Sequence, residues 1–244
     1  MNIQLDDGVQ FGLGVFETIC LRDGKPEFLD WHLERMNDSL QALGIDQKVT
    51  REEVEAWLAA ADPASFEELQ ALKIMVSAKN KIMTLRHNPY TDEKIARGFK
   101  LDFSKVRRND TSPLVYHKTM NYGDNILEKR RTRDLPIDEV IFLNMKGQIC
   151  EGSTTNVFFV KNGGIFTPMK RCGLLPGVMR RFVMEHFPTP EMILYPETID
   201  DAEECFVTNS LMGIMPVTQF GDREFPIGPV TREVMDAYRK ADKY

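Results

Sequence analysis

Three short turns constrain this chain more than any other feature. Asp23-Gly24, Lys79-Asn80 and Asn162-Gly163-Gly164 each separate two brief runs rich in apolar and β-branched residues. A turn this short returns a strand antiparallel beside its predecessor. Capped helical patterns lie between the turns, so the chain reads as α+β. Residues 11–21 predict a turn into a strand, and 25–29 its return. Asp30 is placed to cap a helix carrying Leu33, Met36, Leu40 and Leu43 at helical spacing, with Gly44 as its stop. Arg35 falls on the flank of that helix. Thr50 and Glu53 form a capping box for a second helix that turns Val54, Trp57, Leu58 and Ala61 inward. Asp62-Pro63 ends it, and a short helix is expected at 65–70. Residues 72–78 and 81–86 read as strands, and Phe99, Leu101 and Phe103 alternate as another.

The polar, turn-rich stretch 107–113 then interrupts the pattern. It predicts an N-terminal α+β domain over 1–106, a linker over 107–115 and a second domain over 116–244. In the second half, residues 124–133 and 178–186 read as helices. Strands are expected at 140–143, 149–151, 155–160, 165–168, 192–195 and 205–208, with a short acidic helix before the last of these. A helix over 231–240 follows.

The net charge of −6 argues against nucleic acid or an anionic membrane as partner. It is compatible with a small anionic substrate held by local arginines. No apolar run reaches the ~20 residues that span a bilayer, and the first residues lack the basic and apolar regions of a signal peptide. Cys20, Cys150, Cys172 and Cys205 are far apart and form no CxxC pair. Reduced thiols in a cytoplasmic protein are the expectation. The scattered histidines predict no metal site.

Five features carry chemistry. Lys118 sits in a polar segment at the entrance of the second half. Glu151 ends a strand before Gly152-Ser153. Gly177 precedes a helix whose first N–H groups, on Val178 and Met179, can bind an anion. Thr208-Asn209-Ser210 leaves a strand with small polar side chains. Arg35 offers a guanidinium for an oxyanion. Each alone has a plainer reading: a surface charge, a helix entry or a turn. Together they are the parts of a pyridoxal phosphate site. The lysine can join a carbonyl, the carboxylate can keep a pyridine nitrogen protonated, and the helix start, hydroxyls and arginine can hold a phosphate.

Six strings occur in order: Phe-Gly-Leu-Gly-Val-Phe-Glu-Thr-Ile, His-Leu-Glu-Arg-Met, His-Lys-Thr-Met-Asn-Tyr, Glu-Gly-Ser-Thr-Thr-Asn-Val-Phe, Leu-Leu-Pro-Gly-Val-Met-Arg and Thr-Asn-Ser-Leu-Met-Gly-Ile-Met-Pro-Val. In combination, from Gly8 to Val217, they resemble the class IV aminotransferases, the fold-type IV pyridoxal phosphate enzymes. The resemblance implies a two-domain, D-amino acid aminotransferase-like α+β fold and a homodimer. It implies that Lys118 carries the cofactor covalently and that Glu151 faces its pyridine nitrogen. It assigns Arg35, Val178, Met179 and Ser210 to the phosphate, and Tyr122, one residue closer than in branched-chain members, to the ring oxygen. The family holds branched-chain and D-amino acid aminotransferases and 4-amino-4-deoxychorismate lyases. Branched-chain members usually have glycine where Thr18 stands. The lyases resemble this chain in having threonine, whose hydroxyl is implicated in protonating the departing enolpyruvyl group. The expected reaction is therefore cleavage of 4-amino-4-deoxychorismate to pyruvate and 4-aminobenzoate, a folate precursor. Transamination is the alternative, and a non-catalytic binding protein that kept the fold is a third. Arg86, Arg107 and Arg108 are candidates for the carboxylates of a small anionic amine. Members normally begin with a further strand before the Gly8 region, so the first sheet is expected to lack an edge strand.

Overall fold

The computed structural model describes residues 2–61 and 67–244. The chain divides into two compact units: Met1–Pro89 with His117–Tyr122 and Asp242–Tyr244, and Tyr90–Tyr116 with Gly123–Ala241.

The first unit runs α1 (Asp7–Phe11), β1 (Val15–Arg22), β2 (Lys25–Pro26), α2 (Leu29–Ala42), α3 (Arg51–Ala59), β3 (Leu69–Val76) and β4 (Lys81–His87). Its sheet is antiparallel in the order β2-β1-β3-β4. Alternation sends Val15, Ile19 and Leu21 of β1, and Leu72, Ile74 and Val76 of β3, into one core with Leu33, Met36 and Leu40 of α2. Each such side chain contributes roughly 1.5–3 kcal/mol on burial. Phe16, Thr18, Lys73 and Thr84 are left on the opposite face, with Thr18 directly across from Lys73 and Lys73 from Thr84. The capping box forms as the sequence predicts, Thr50 accepting from the Glu53 N–H and Glu53 from the Thr50 N–H. Asp30 does not cap α2. It lies in the first turn, and the cap position is Phe28, in the left-handed region at φ 53° with no side-chain cap. The helix break at Asp62-Pro63 and part of the helix expected at 65–70 lie outside the described residues, and positions 69–70 belong to β3.

The second unit comprises α4 (Asp92–Arg97), β5 (Phe99–Arg108), α5 (Gly123–Arg131), β6 (Glu139–Asn144), β7 (Ile149–Gly152), β8 (Asn156–Lys161), β9 (Gly164–Pro168), α6 (Val178–His186), β10 (Glu191–Met192), α7 (Thr198–Asp201), β11 (Glu204–Asn209), β12 (Gly213–Phe220), β13 (Arg223–Glu224) and α8 (Pro229–Lys240). Its nine strands follow the order β10-β9-β8-β11-β12-β5-β6-β7, with β13 on β12. The path curls until its ends meet, and Ile149 of β7 donates to the Leu194 carbonyl just beyond β10 (2.8 Å). Phe99, Leu101, Ile141, Val157, Phe159, Val207, Met215 and Val217 share its core.

β5 corrects the sequence reading. It runs parallel to both β6 and β12 and so belongs to the second unit's sheet. Arg107 and Arg108, read as linker, are its last residues. They register with Leu143 and Asn144 of β6 beyond an irregularity that breaks the simple alternation. Four elements were not foreseen, among them the short α1 and β13. A third is α4, capped by Thr91. Another is β12, whose first five residues are buried on both faces and show no period-two pattern. The strand expected at 192–195 ends at Met192.

Candidate functional site

Of the predicted residues, Lys118, Thr18, Arg35, Tyr122 and Arg86 lie in the first unit. Glu151, Val178, Met179, Ser210 and Arg107 lie in the second.

In the first unit, the segment carrying Lys118 is laid against the start of β1. The Phe16 N–H donates to the Lys118 carbonyl (2.9 Å) and the Met120 N–H to the Gly14 carbonyl (2.7 Å). His117 meets Ser39 of α2 through Nδ1 at 3.1 Å. Backbone and side-chain contacts on both flanks thus fix the lysine. Its Nζ stands 4.6 Å from the centre of the Phe16 ring and 4.9 Å from that of Tyr122. The two rings meet edge to face, 5.1 Å apart. An ammonium on ring faces gains about 0.5–1 kcal/mol. Thr18 projects from the same face of β1 as Phe16, so Lys118, Tyr122 and Thr18 share one side of this sheet.

Lys73 shares that side as well, its Nζ 4.9 Å from the Phe16 ring centre. Burial, with the Arg86 charge behind it, pulls the Lys73 pKa down. Sequence reasoning missed this residue, because one lysine inside an apolar strand gives no motif. Its legible trace is the alternation of 69–76 itself, which puts Lys73 opposite Thr18 once β1 and β3 pair. Arg86 is exposed near the end of β4, donating to the neighbouring His87 carbonyl (3.2 Å).

Arg35 reaches under β1. Its Nε and Nη2 donate to the two oxygens of Glu17, each at 2.7 Å. The His32 Nδ1 meets Glu17 Oε2, also at 2.7 Å. Burial alone would raise the Glu17 pKa, but Arg35 and His32 outweigh it and hold the carboxyl well below the usual range. Burial lowers the His32 pKa despite Glu17. Its Nδ1–H donates to a carboxylate that can only accept. The ion pair with Glu17 had no counterpart in the sequence reading. It fixes the orientation of the guanidinium expected to meet a phosphate.

In the second unit, Glu151 is nearly buried at the end of β7. Oε1 accepts from Arg108 Nη2 and Oε2 from the Leu175 N–H, each at 3.0 Å. Arg108, offered as a substrate contact, is instead this carboxylate's partner, and its guanidinium stacks on Phe142 at 4.1 Å. Arg107 is exposed. At α6, Gly177 is the cap residue and supplies no side-chain hydrogen bond. The N–H groups of Val178 and Met179 thus begin the helix without an intrahelical or capping acceptor. A Cβ at Gly177 would run into Asn156 Oδ1. The hydroxyls of Thr155 and Thr208 are buried without a hydrogen-bond partner. Thr208 pairs in register with Asn156 across β11 and β8. Ser210 follows in a turn closed by Asn209, whose Oδ1 accepts from the N–H groups of Leu211 and Met212. A helix start with free donors, its cap glycine packed against Asn156, and the unsatisfied Thr208 hydroxyl in register with that asparagine suit an oxyanion.

Residues 14–220 match the family model described as amino-transferase class IV. The chain is 29% identical to the aminodeoxychorismate lyase of Bacillus subtilis (strain 168) over 259 residues, 98% of this chain and 88% of that protein. The crystal structure of 4-amino-4-deoxychorismate lyase from Pseudomonas aeruginosa has the same fold, with a TM-score of 0.87 at 23% identity. It covers 100% of this chain and 97% of that one. An aminotransferase from Brucella abortus bound to the co-factor PLP also shares it, with a TM-score of 0.82 at 23% identity over 98% of this chain and 94% of that one.

Proposed function

The chain belongs to the class IV aminotransferase family, and on that premise we propose that it binds pyridoxal phosphate and cleaves 4-amino-4-deoxychorismate to 4-aminobenzoate and pyruvate. The residues fit the cofactor. The uncapped start of α6, the unpartnered Thr208 hydroxyl and Ser210 suit its phosphate. Arg35, oriented by Glu17, is a second phosphate contact. Glu151 is held as a carboxylate partner for the pyridine nitrogen, Tyr122 is the contact for the ring oxygen, and Lys118 is the attachment point. When bound, pyridoxal phosphate supplies an electron sink for the carbon bearing the substrate amine.

One observation carries the choice of reaction: Thr18 lies on the face of β1 over which Lys118 is held, and Lys73 stands directly across from it. In this reading Lys118 Nζ takes the proton from the carbon bearing the amine. The bond to the enolpyruvyl oxygen breaks, the ring becomes aromatic, and the Thr18 hydroxyl, or a water it orients, returns a proton to the departing group. Lys73 meets a substrate carboxylate as a point charge, with Arg86 beyond it on β4. The similarity to the Bacillus subtilis lyase along nearly the whole chain supports the same reading.

The test is product analysis. Purified protein supplied with pyridoxal phosphate and 4-amino-4-deoxychorismate is expected to release 4-aminobenzoate and pyruvate in equal amounts, and Lys118→Ala to release neither. Glutamate formed from 2-oxoglutarate and an amino donor, with no 4-aminobenzoate, would establish transamination instead.

The same reading includes a cytoplasmic homodimer. All four cysteines are free and buried, as a reducing compartment allows, and no described helix is long and apolar enough to cross a membrane. Ile3, Leu5, Val9 and Phe11, each more than half exposed around α1, supply an apolar surface for a second copy.

A further inference from the structure

Glu151 is embedded in a closed circuit of hydrogen bonds within the second unit. Arg108 Nη2 donates to Glu151 Oε1 (3.0 Å). The other arm, Nη1, donates to Asn125 Oδ1 (3.0 Å). Asn125 Nδ2 donates to the Ser153 carbonyl (2.8 Å), two residues after Glu151 itself. Asn125 is 5% exposed, in the first turn of α5. The carbonyl it grips cannot shift freely, because the turn after Glu151 is moulded on Glu139. That carboxylate, fully buried at the start of β6, accepts from the N–H and hydroxyl groups of both Ser153 and Thr154. A Cβ on Gly152 would press on its side chain.

An arginine beside a buried carboxylate favours a two-pronged grip, with two parallel N–H donors on the two oxygens. That grip would give Glu151 the strongest neutralisation available and turn its carboxylate toward the guanidinium. Here Asn125 takes Nη1, which excludes the grip by the two terminal nitrogens, Phe142 fixes the guanidinium plane, and Nε is left buried without a hydrogen-bond partner. The Leu175 N–H holds the second Glu151 oxygen. We infer that Asn125 is a positioning residue that, with the Leu175 N–H on the second oxygen, restrains Arg108 to a one-armed pair, so that Glu151 keeps its direction for a protonated ring nitrogen. This rests on the reading of Glu151 as the partner of the cofactor's pyridine nitrogen. It adds a residue that touches neither cofactor nor substrate.

The test compares the affinity of the cofactor-free protein for pyridoxal phosphate and for its 1-deaza analogue, which has carbon in place of the ring nitrogen. Both are followed by quenching of tryptophan fluorescence. The wild type is expected to prefer pyridoxal phosphate, and Glu151→Gln to abolish the preference. If Glu151→Gln leaves the preference intact, the reading of Glu151 fails. If Glu151→Gln abolishes it, Asn125 is judged separately. Asn125→Ala is expected to reduce the preference about tenfold while affinity for the analogue stays unchanged, the scale of one charge-assisted hydrogen bond. An equal loss for both ligands, or no loss, would overturn the role of Asn125. Asn125→Ser, too short to reach Arg108 but small and polar, decides the matter by the same ratio if the alanine variant does not fold.

Discussion

Two side chains give the sharpest tests of the first unit. Lys73 is half-buried, beside Phe16 and opposite Thr18. In Lys73→Met the KM for 4-amino-4-deoxychorismate is expected to rise about tenfold with kcat less affected, the loss of one ionic contact to the substrate. Steady-state kinetics on the purified variant check it, and a fall in kcat alone would contradict the assignment. Glu17 is ionised in the fold at pH values where the unfolded chain binds a proton. The stability it contributes is complete above its ordinary value of 4.5 and is lost as pH falls toward its depressed native value. Urea unfolding between about pH 5 and pH 3 should therefore show a steeper loss for wild type than for Glu17→Gln. At neutral pH the same variant should be less stable by about 3 kcal/mol, since it leaves the Arg35 charge uncompensated beneath the sheet. Lys118 and Glu151 were legible in the sequence as motif positions. Lys73 and the Glu17–Arg35 pair were not, because each depends on which strand lies beside which and which helix covers them.

Elements were legible where their signals are local. The Thr50–Glu53 box starts α3, and Thr50→Ala is expected to cost about 1 kcal/mol in urea unfolding. The range read for α6 is the range observed. Its cap glycine has a definite test: Gly177→Ala must displace Asn156, whose Nδ2 holds the Leu175 carbonyl (2.9 Å). Affinity for pyridoxal phosphate, measured by equilibrium titration of the cofactor-free protein, should fall at least tenfold. An unchanged affinity would remove α6 from the phosphate assignment. Elements set by tertiary context escaped. The start of α2 is shaped by Phe28 in the left-handed region, with its ring stacked on Trp31, and no cap propensity announces that. β12 is buried on both faces and contains Pro216, which reads as a strand breaker in isolation.

At the scale of the whole molecule, the α+β class followed from turns and caps, but strand order did not. Local pattern cannot tell that β5 lies between β6 and β12, since the partners on its two sides come from distant parts of the chain. The apolar stretch around α1 gives the matching experiment. Changing Val9 and Phe11 together to serine is expected to shift the proposed homodimer toward monomer in sedimentation velocity, with the fold intact by circular dichroism. A variant that sediments like wild type would remove this surface from the dimer contact. The place of β5 also bears on how the protein is made. Its strand ends at Arg108, and the neighbour that covers one side, β12, begins at Gly213. A ribosome adding about 5–20 residues per second needs on the order of ten seconds to supply it. Throughout that interval the nascent chain exposes the unpaired backbone edge of β5 beside Phe99, Leu101 and Phe103, so synthesis should pass through a window in which a holdase chaperone protects it.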